Sequence, residues 1–208
     1  SIVSTTITRD LMGKRGMAGG GNLFFPAPPS KFPGLKTSVA RSLLPDAVIE
    51  DSSKPLSIDI GGKTVVLRER AGHTASDLNI EIDGAGPAGE KVVFGGDMIF
   101  HKTFPVYLDA LPKVLRTNVA AVSSENGGKN IIVPGHGPIA TGADLAGFLG
   151  IIDHIAAEGT KAKSAGLSAK DAAAKFTVPA ELKDYTPSNP LFVQLAFDAM
   201  YRELDGGK

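Results

Sequence analysis

Three short segments of the chain share a form that could do chemistry. In each, an apolar run meets small residues, and one potential metal ligand stands there: His73 in "VVLRERAGHTASD", Asp97 in "KVVFGGDMIF" and His136 in "NIIVPGHG". Imidazole and carboxylate are the donors that zinc or a similar divalent ion takes when thiolate is not on offer, and this chain has no cysteine. The three residues are 24 and 39 positions apart, which leaves room for one connecting unit between neighbours. Adjacent strands would then bring all three to one edge of a sheet. Glycine beside each ligand lets the backbone turn sharply and leaves space for an ion and a substrate.

Each residue also has a plain structural reading. His73 can be a surface or capping histidine, Asp97 an ordinary turn aspartate after Gly95-Gly96, and His136 a cap for the turn that follows. Their order and spacing together favour ligation. Asp77, four residues after His73, reads either as a turn former or as the hydrogen-bond acceptor that orients that imidazole. The other two of the four histidines are assigned to structure: His101 in "FHKTFP" to a loop, His154 in "IIDHIAA" to a helix surface.

The elements that must position these residues are legible in part. "PLSIDIGGKTVVLRER" reads as a hairpin around Gly61-Gly62, and "LNIEI" with "KVVFGG" as a strand pair across "DGAGPAG", the second strand ending at its glycines. "LDALPKVLRTNVAAVSS" reads as a helix with Pro112 in its early turn, and "NIIVPG" as a short buried strand. Residues 13–34 are dense in Gly and Pro and read as an extended loop, with Phe24, Phe25 and Phe32 pinning it to a core, the favoured reading, or fringing a cleft. "LKTSVARSLLP" follows as a helix with Leu35, Val39 and Leu43 on one face and a stop at Pro45.

From residue 141 to 208 the pattern turns helical. Thr141 with Asp144, Ser168 with Asp171, and Ser188-Asn189-Pro190 mark three helix starts. The inward stripes are expected to be Leu145, Leu149 and Ile152, then Leu191, Leu195 and Met200. Strands and helices mixed through the middle, then a helical tail, indicate an α+β or α/β layered fold within a single domain over residues 1–208.

Composition excludes several functions. Lys plus Arg equals Asp plus Glu at 22 each, so no net charge draws the chain to nucleic acid or to an anionic membrane. No apolar stretch is long enough to span a bilayer, and the first residues lack a signal-peptide pattern. A soluble protein is expected, in the bacterial cytoplasm or the periplasm, acting on a small molecule. No G-x-S-x-G elbow supports a serine hydrolase.

In order, "GHTASDLNIEI", "VVFGGDMIF" and "IIVPGHG" resemble the later motifs of the metallo-β-lactamase-fold metallohydrolases, and "AFDAMYREL" resembles the C-terminal helices of many bacterial members. The resemblance implies an αββα metallo-β-lactamase-like sandwich. It also implies a zinc-dependent hydrolase in which water attacks a carbonyl, ester or related bond. His73 would ligate the first of one or two zinc ions, Asp97 would bridge or join the second, and His136 would complete the second site. The family's H-x-H-x-D-H run has no counterpart, because the histidines stand only at 73, 101, 136 and 154. "SIVSTTITRDLM" resembles the strand and helix that follow that run. The domain is therefore expected to be partial at its N-terminal half, with zinc weak or absent and hydrolysis reduced or lost. Its uncovered sheet is expected to meet a second copy of the chain, the "MAGGGNLFFPAPP" loop, or a separate N-terminal segment. The alternative is a non-catalytic α/β binding or scaffold domain derived from the same fold.

Overall fold

The alternating and β-branched runs do form strands. The structure is a computed structural model that describes residues 3–11, 45, 47–51 and 53–207. The loop read over 13–34 and the helix read from Leu35 lie outside the described residues. The chain divides into two compact units, Ser1–Leu56 and Ser57–Lys208, where the sequence reading took one domain. In the first, β1 (Val3–Thr5) pairs in parallel with β2 (Ala47–Ile49), Val3 opposite Ala47 and Thr5 opposite Ile49.

The second unit is built on a six-stranded sheet. Its strands are β3 (Leu56–Asp59), β4 (Thr64–Glu69), β5 (Leu78–Ile82), β6 (Val92–Phe100), β7 (Ile131–His136) and β8 (Ala140–Thr141), hydrogen-bonded in that order. β4 and β6 each run antiparallel to β5, and β7 runs parallel to β6. Strands β4, β6 and β7 therefore point the same way, and their C-terminal ends share one edge of the sheet. The β3–β4 connection uses Gly61 and Gly62, both at positive φ, with their N–H groups donating to Asp59 Oδ1.

Strand alternation sorts the side chains. Glu81, Val93 and Ile132 share one face, as does Ala140 opposite Ile132. Val93, Ile132 and Ala140 are buried in one core with the helices. These helices are α1 (Pro112–Ser124), α2 (Ala146–Ser164), the short α3 (Ala169–Ala173) and α4 (Pro190–Leu204). Pro112 opens α1, and the Lys113 N–H, which has no partner inside the helix, donates to the Glu203 carboxylate at 2.9 Å. Ser168 accepts from the Asp171 N–H and Asn189 from the Leu191 N–H, so both of those expected caps are present.

Two expectations about the helical segment need correction. Thr141 and Asp144 do bond each other, but Thr141 closes strand β8 and a 3₁₀ turn over Ala143–Leu145 precedes α2. The buried stripe of α4 is Val193, Ala196, Phe197 and Met200, while Leu191 and Leu195 are only half-buried. Phe197 packs edge-on against Phe176 and close to Gly159 of α2, which turns that side of α4 inward. No helix among the described residues is long and apolar enough to cross a membrane.

Candidate functional site

His73 lies in the loop that leaves β4, and its position follows from a dense set of backbone bonds. The Arg70 N–H donates to the Asp77 carbonyl at 2.9 Å, and the Gly72 N–H to the Thr74 carbonyl at 2.8 Å. The Leu111 N–H reaches the Gly72 carbonyl at 2.8 Å, and Asn118 Nδ2 the Ala71 carbonyl at 2.6 Å, tying the loop to the start of α1. Gly72 is required here by space, because a Cβ would stand 2.8 Å from the Leu115 Cα.

Asp77 is a turn former, the first of the two roles read for it. Its carboxylate accepts the Thr74 N–H at 2.9 Å and the Thr74 hydroxyl at 2.8 Å, closing the turn. It also stands 4.0 Å from His73 Nδ1. Burial pushes the Asp77 carboxyl above the ordinary aspartate value, partly offset by the bonds from Thr74.

Asp97 belongs to β6 itself. The strand does not end at Gly95-Gly96, as the sequence reading had it, but continues to Phe100 through two register shifts, with Gly96 at φ +54°. A glycine in the left-handed region absorbs the irregularity and lets the strand resume, as in a β-bulge. The bulge presents the Asp97 side chain half-exposed, three residues before the strand ends. His136 is the last residue of β7, opposite Phe100, and its Nε2 lies 3.4 Å from Asp97 Oδ1. Its ring stacks on Phe100 with centroids 4.8 Å apart and planes 9° from parallel.

His73 reaches the same aromatic ring. Its centroid is 6.1 Å from that of Phe100, tilted by 48°. The three candidate ligands thus lie at the C-terminal edge of β4, β6 and β7, with Asp97 and His136 adjacent and His73 beside Phe100. In type, the donors suit a borderline divalent ion. In number, they fall short: among the described residues no three His, Cys, Asp or Glu side chains are grouped closely enough to hold one. By their own number these residues leave the donor set of a metal site incomplete.

Sequence reasoning missed two residues here. Phe100, to which the sequence reading gave no role, has both imidazoles beside its ring. His101, assigned to a loop, is buried, and its Nδ1 sits 2.9 Å from the Pro138 carbonyl. No signal in the sequence singles out His101, since the turn at Gly137 that folds back onto it shows itself only in the backbone, at φ +94°. His154 is on α2 as read, with Nε2 2.8 Å from the Thr177 carbonyl.

No protein-family model matches the chain, and no curated protein sequence matches it. Solved structures do resemble it. The stereoselective inverting sec-alkylsulfatase Pisa1 from Pseudomonas sp. superposes with a TM-score of 0.59 at 18% identity, over 76% of this chain and 26% of the sulfatase. The B3 metallo-β-lactamase BLEG-1 superposes with a TM-score of 0.45 at 18% identity, over 69% of this chain and 60% of that protein. TTHA1623 in its di-iron-bound form gives a TM-score of 0.42 at 21% identity, over 69% of this chain and 61% of that one. The chain thus spans less than two thirds of each of these structures. The fold class expected from the sequence is borne out: a six-stranded sheet followed by C-terminal helices, a mixed α and β fold whose likeness to the sulfatase is one of fold.

Proposed function

We propose that the chain contributes His73, Asp97 and His136 to a metal-dependent hydrolytic centre, with Asp77 orienting His73. The substrate is a small molecule with a carbonyl, ester or related bond open to attack by water. The observation that carries this reading is the 3.4 Å approach of His136 Nε2 to Asp97 Oδ1 at the ends of two parallel strands. Gly135 leaves that approach no room for a Cβ. Zinc is the ion that this donor chemistry favours. Two adjacent donors and one more distant imidazole hold an ion weakly, since each missing ligand is replaced by water. No catalytic step is therefore assigned to an ion held by these residues alone.

The test is to supply the absent donors. The chain is assayed alone, then joined to a segment bearing H-x-H-x-D-H, with zinc and reporter lactams or esters. The reading expects little turnover alone and zinc-dependent turnover when joined, lost again in His136→Ala. Equal turnover by the joined protein and its His136→Ala variant would overturn it. The second reading, a non-catalytic binding or scaffold domain, is favoured by the lack of any three-donor group among the described residues. It expects neither form to hydrolyse.

A further inference from the structure

We infer that His101 is a positioning residue for His136: it clamps the turn that carries that imidazole and so fixes the ring against Phe100 and Asp97. The inference rests on the reading of His136 as a functional donor, and it is argued from three contacts made by one buried residue.

The first contact is the side chain. A carbonyl oxygen can only accept, so the 2.9 Å approach of His101 Nδ1 to the Pro138 carbonyl means that Nδ1 carries the hydrogen and donates it. The second is the backbone. The His101 N–H donates to the His136 carbonyl at 3.0 Å. The third is steric. A Cβ on Gly137 would run into the His101 carbonyl oxygen and stand 2.8 Å from its carbon, so the Gly137 backbone lies directly on His101. Residues 136 and 138 are thus each bonded to His101, and Gly137 between them is packed against its backbone.

The clamp has its own support. Tyr185, buried beside α2, stacks on Phe148 at 6.3 Å, and Phe148 in turn packs against the Phe100 ring at 6.2 Å. Lys102 is at φ +55°, so the backbone next to His101 is bent. With the turn held at 136, 137 and 138, His136 is set on Phe100. A His136 ring released from the turn would still be bonded to the chain but would sample rotamers away from Asp97. Groups that orient a ligand in this way commonly change metal affinity by about 10- to 100-fold when removed.

The test uses the whole 208-residue chain and reads ring placement separately from metal binding. In two-dimensional NMR, the His136 ring protons should be shifted upfield by the stacked Phe100 ring. In His101→Ala those signals should move towards their unstacked positions while the rest of the amide spectrum stays dispersed. His101→Asn, whose amide nitrogen can donate from the place of Nδ1, should restore them. Zinc titrated into the same samples should bind about 10-fold more weakly to His101→Ala than to the starting protein, and recover in His101→Asn. Unmoved His136 ring signals in His101→Ala, or no recovery in His101→Asn, would overturn the clamp. Signals that move and recover while zinc affinity stays constant would leave the clamp standing and remove His136 from the metal reading instead.

Discussion

Gly135→Ala is the perturbation whose outcome the geometry fixes most tightly. Gly135 does not need positive φ, so only space forbids a side chain there. A Cβ would stand 2.6 Å from the carbonyl carbon of Gly96 and 2.7 Å from its oxygen, and closer still to Asp97 Oδ1. The carboxylate can rotate away, but the Gly96 backbone belongs to the neighbouring strand and cannot yield without disturbing the β6–β7 ladder. Overpacking of this kind costs about 1–3 kcal/mol. For a chain of this size, that corresponds to a melting-temperature fall of about 2–12 °C. Differential scanning calorimetry reads it directly. Asp97→Ala removes the carboxylate but leaves the Gly96 backbone in place, so Gly135→Ala should still be destabilising in that background, by most of the same amount. A melting temperature for Gly135→Ala within about 1 °C of the unsubstituted protein would refute the steric argument, and with it the claimed tightness of the Asp97–His136 approach.

Two other substitutions follow from polar groups in the core. Tyr107 is buried, burial pushes its hydroxyl pKa up, and that hydroxyl has no hydrogen-bond partner among the described residues, so Tyr107→Phe should be neutral or stabilising by up to about 1 kcal/mol in urea unfolding. Glu81 is buried on the helix-covered face of the sheet; burial acts to raise its carboxyl, but Arg68 at 2.8 Å and Lys91 at 3.2 Å prevail and hold it below the ordinary glutamate value. A lowered folded-state pKa stabilises the protein above the unfolded value of about 4.3, and that stability is lost as pH falls through the folded value. Glu81→Gln should cost up to about 3 kcal/mol at pH 7, because it leaves Arg68, Arg70 and Lys91 facing a neutral group, and should flatten the acid limb of a stability–pH profile. A variant that loses stability on acidification as steeply as the parent would sink that account.

The sequence made the strands legible because their periodicity is local. The runs around Val65, Ile80, Val93 and Ile132 alternate or are β-branched, and they lie in strands. The bulge in β6 was not legible, because Gly95-Gly96 reads the same whether a strand ends there or bends and goes on. The inward face of α4 was misjudged for a related reason. Leu191 and Leu195 fit the helical period as well as Val193 and Phe197 do, and only the partner helices decide between the two. At the site, residue types and order found Asp97 and His136, which the fold brings together. The ring of Phe100 and the clamp at His101 depend on strand register and on a turn folding back, and neither leaves a periodic trace.

The central claim is that Asp97 and His136, with His73 nearby, are metal donors that hold an ion weakly by themselves. It is tested most directly by titrating zinc into the chelator-stripped, isotope-labelled chain and following NMR shifts, alongside the Asp97→Ala/His136→Ala double variant. The account predicts weak, saturable shifts centred on His136, Asp97 and His73 that vanish in the double variant. Identical zinc-induced shifts in the double variant, or none at these residues in the starting protein, would contradict it.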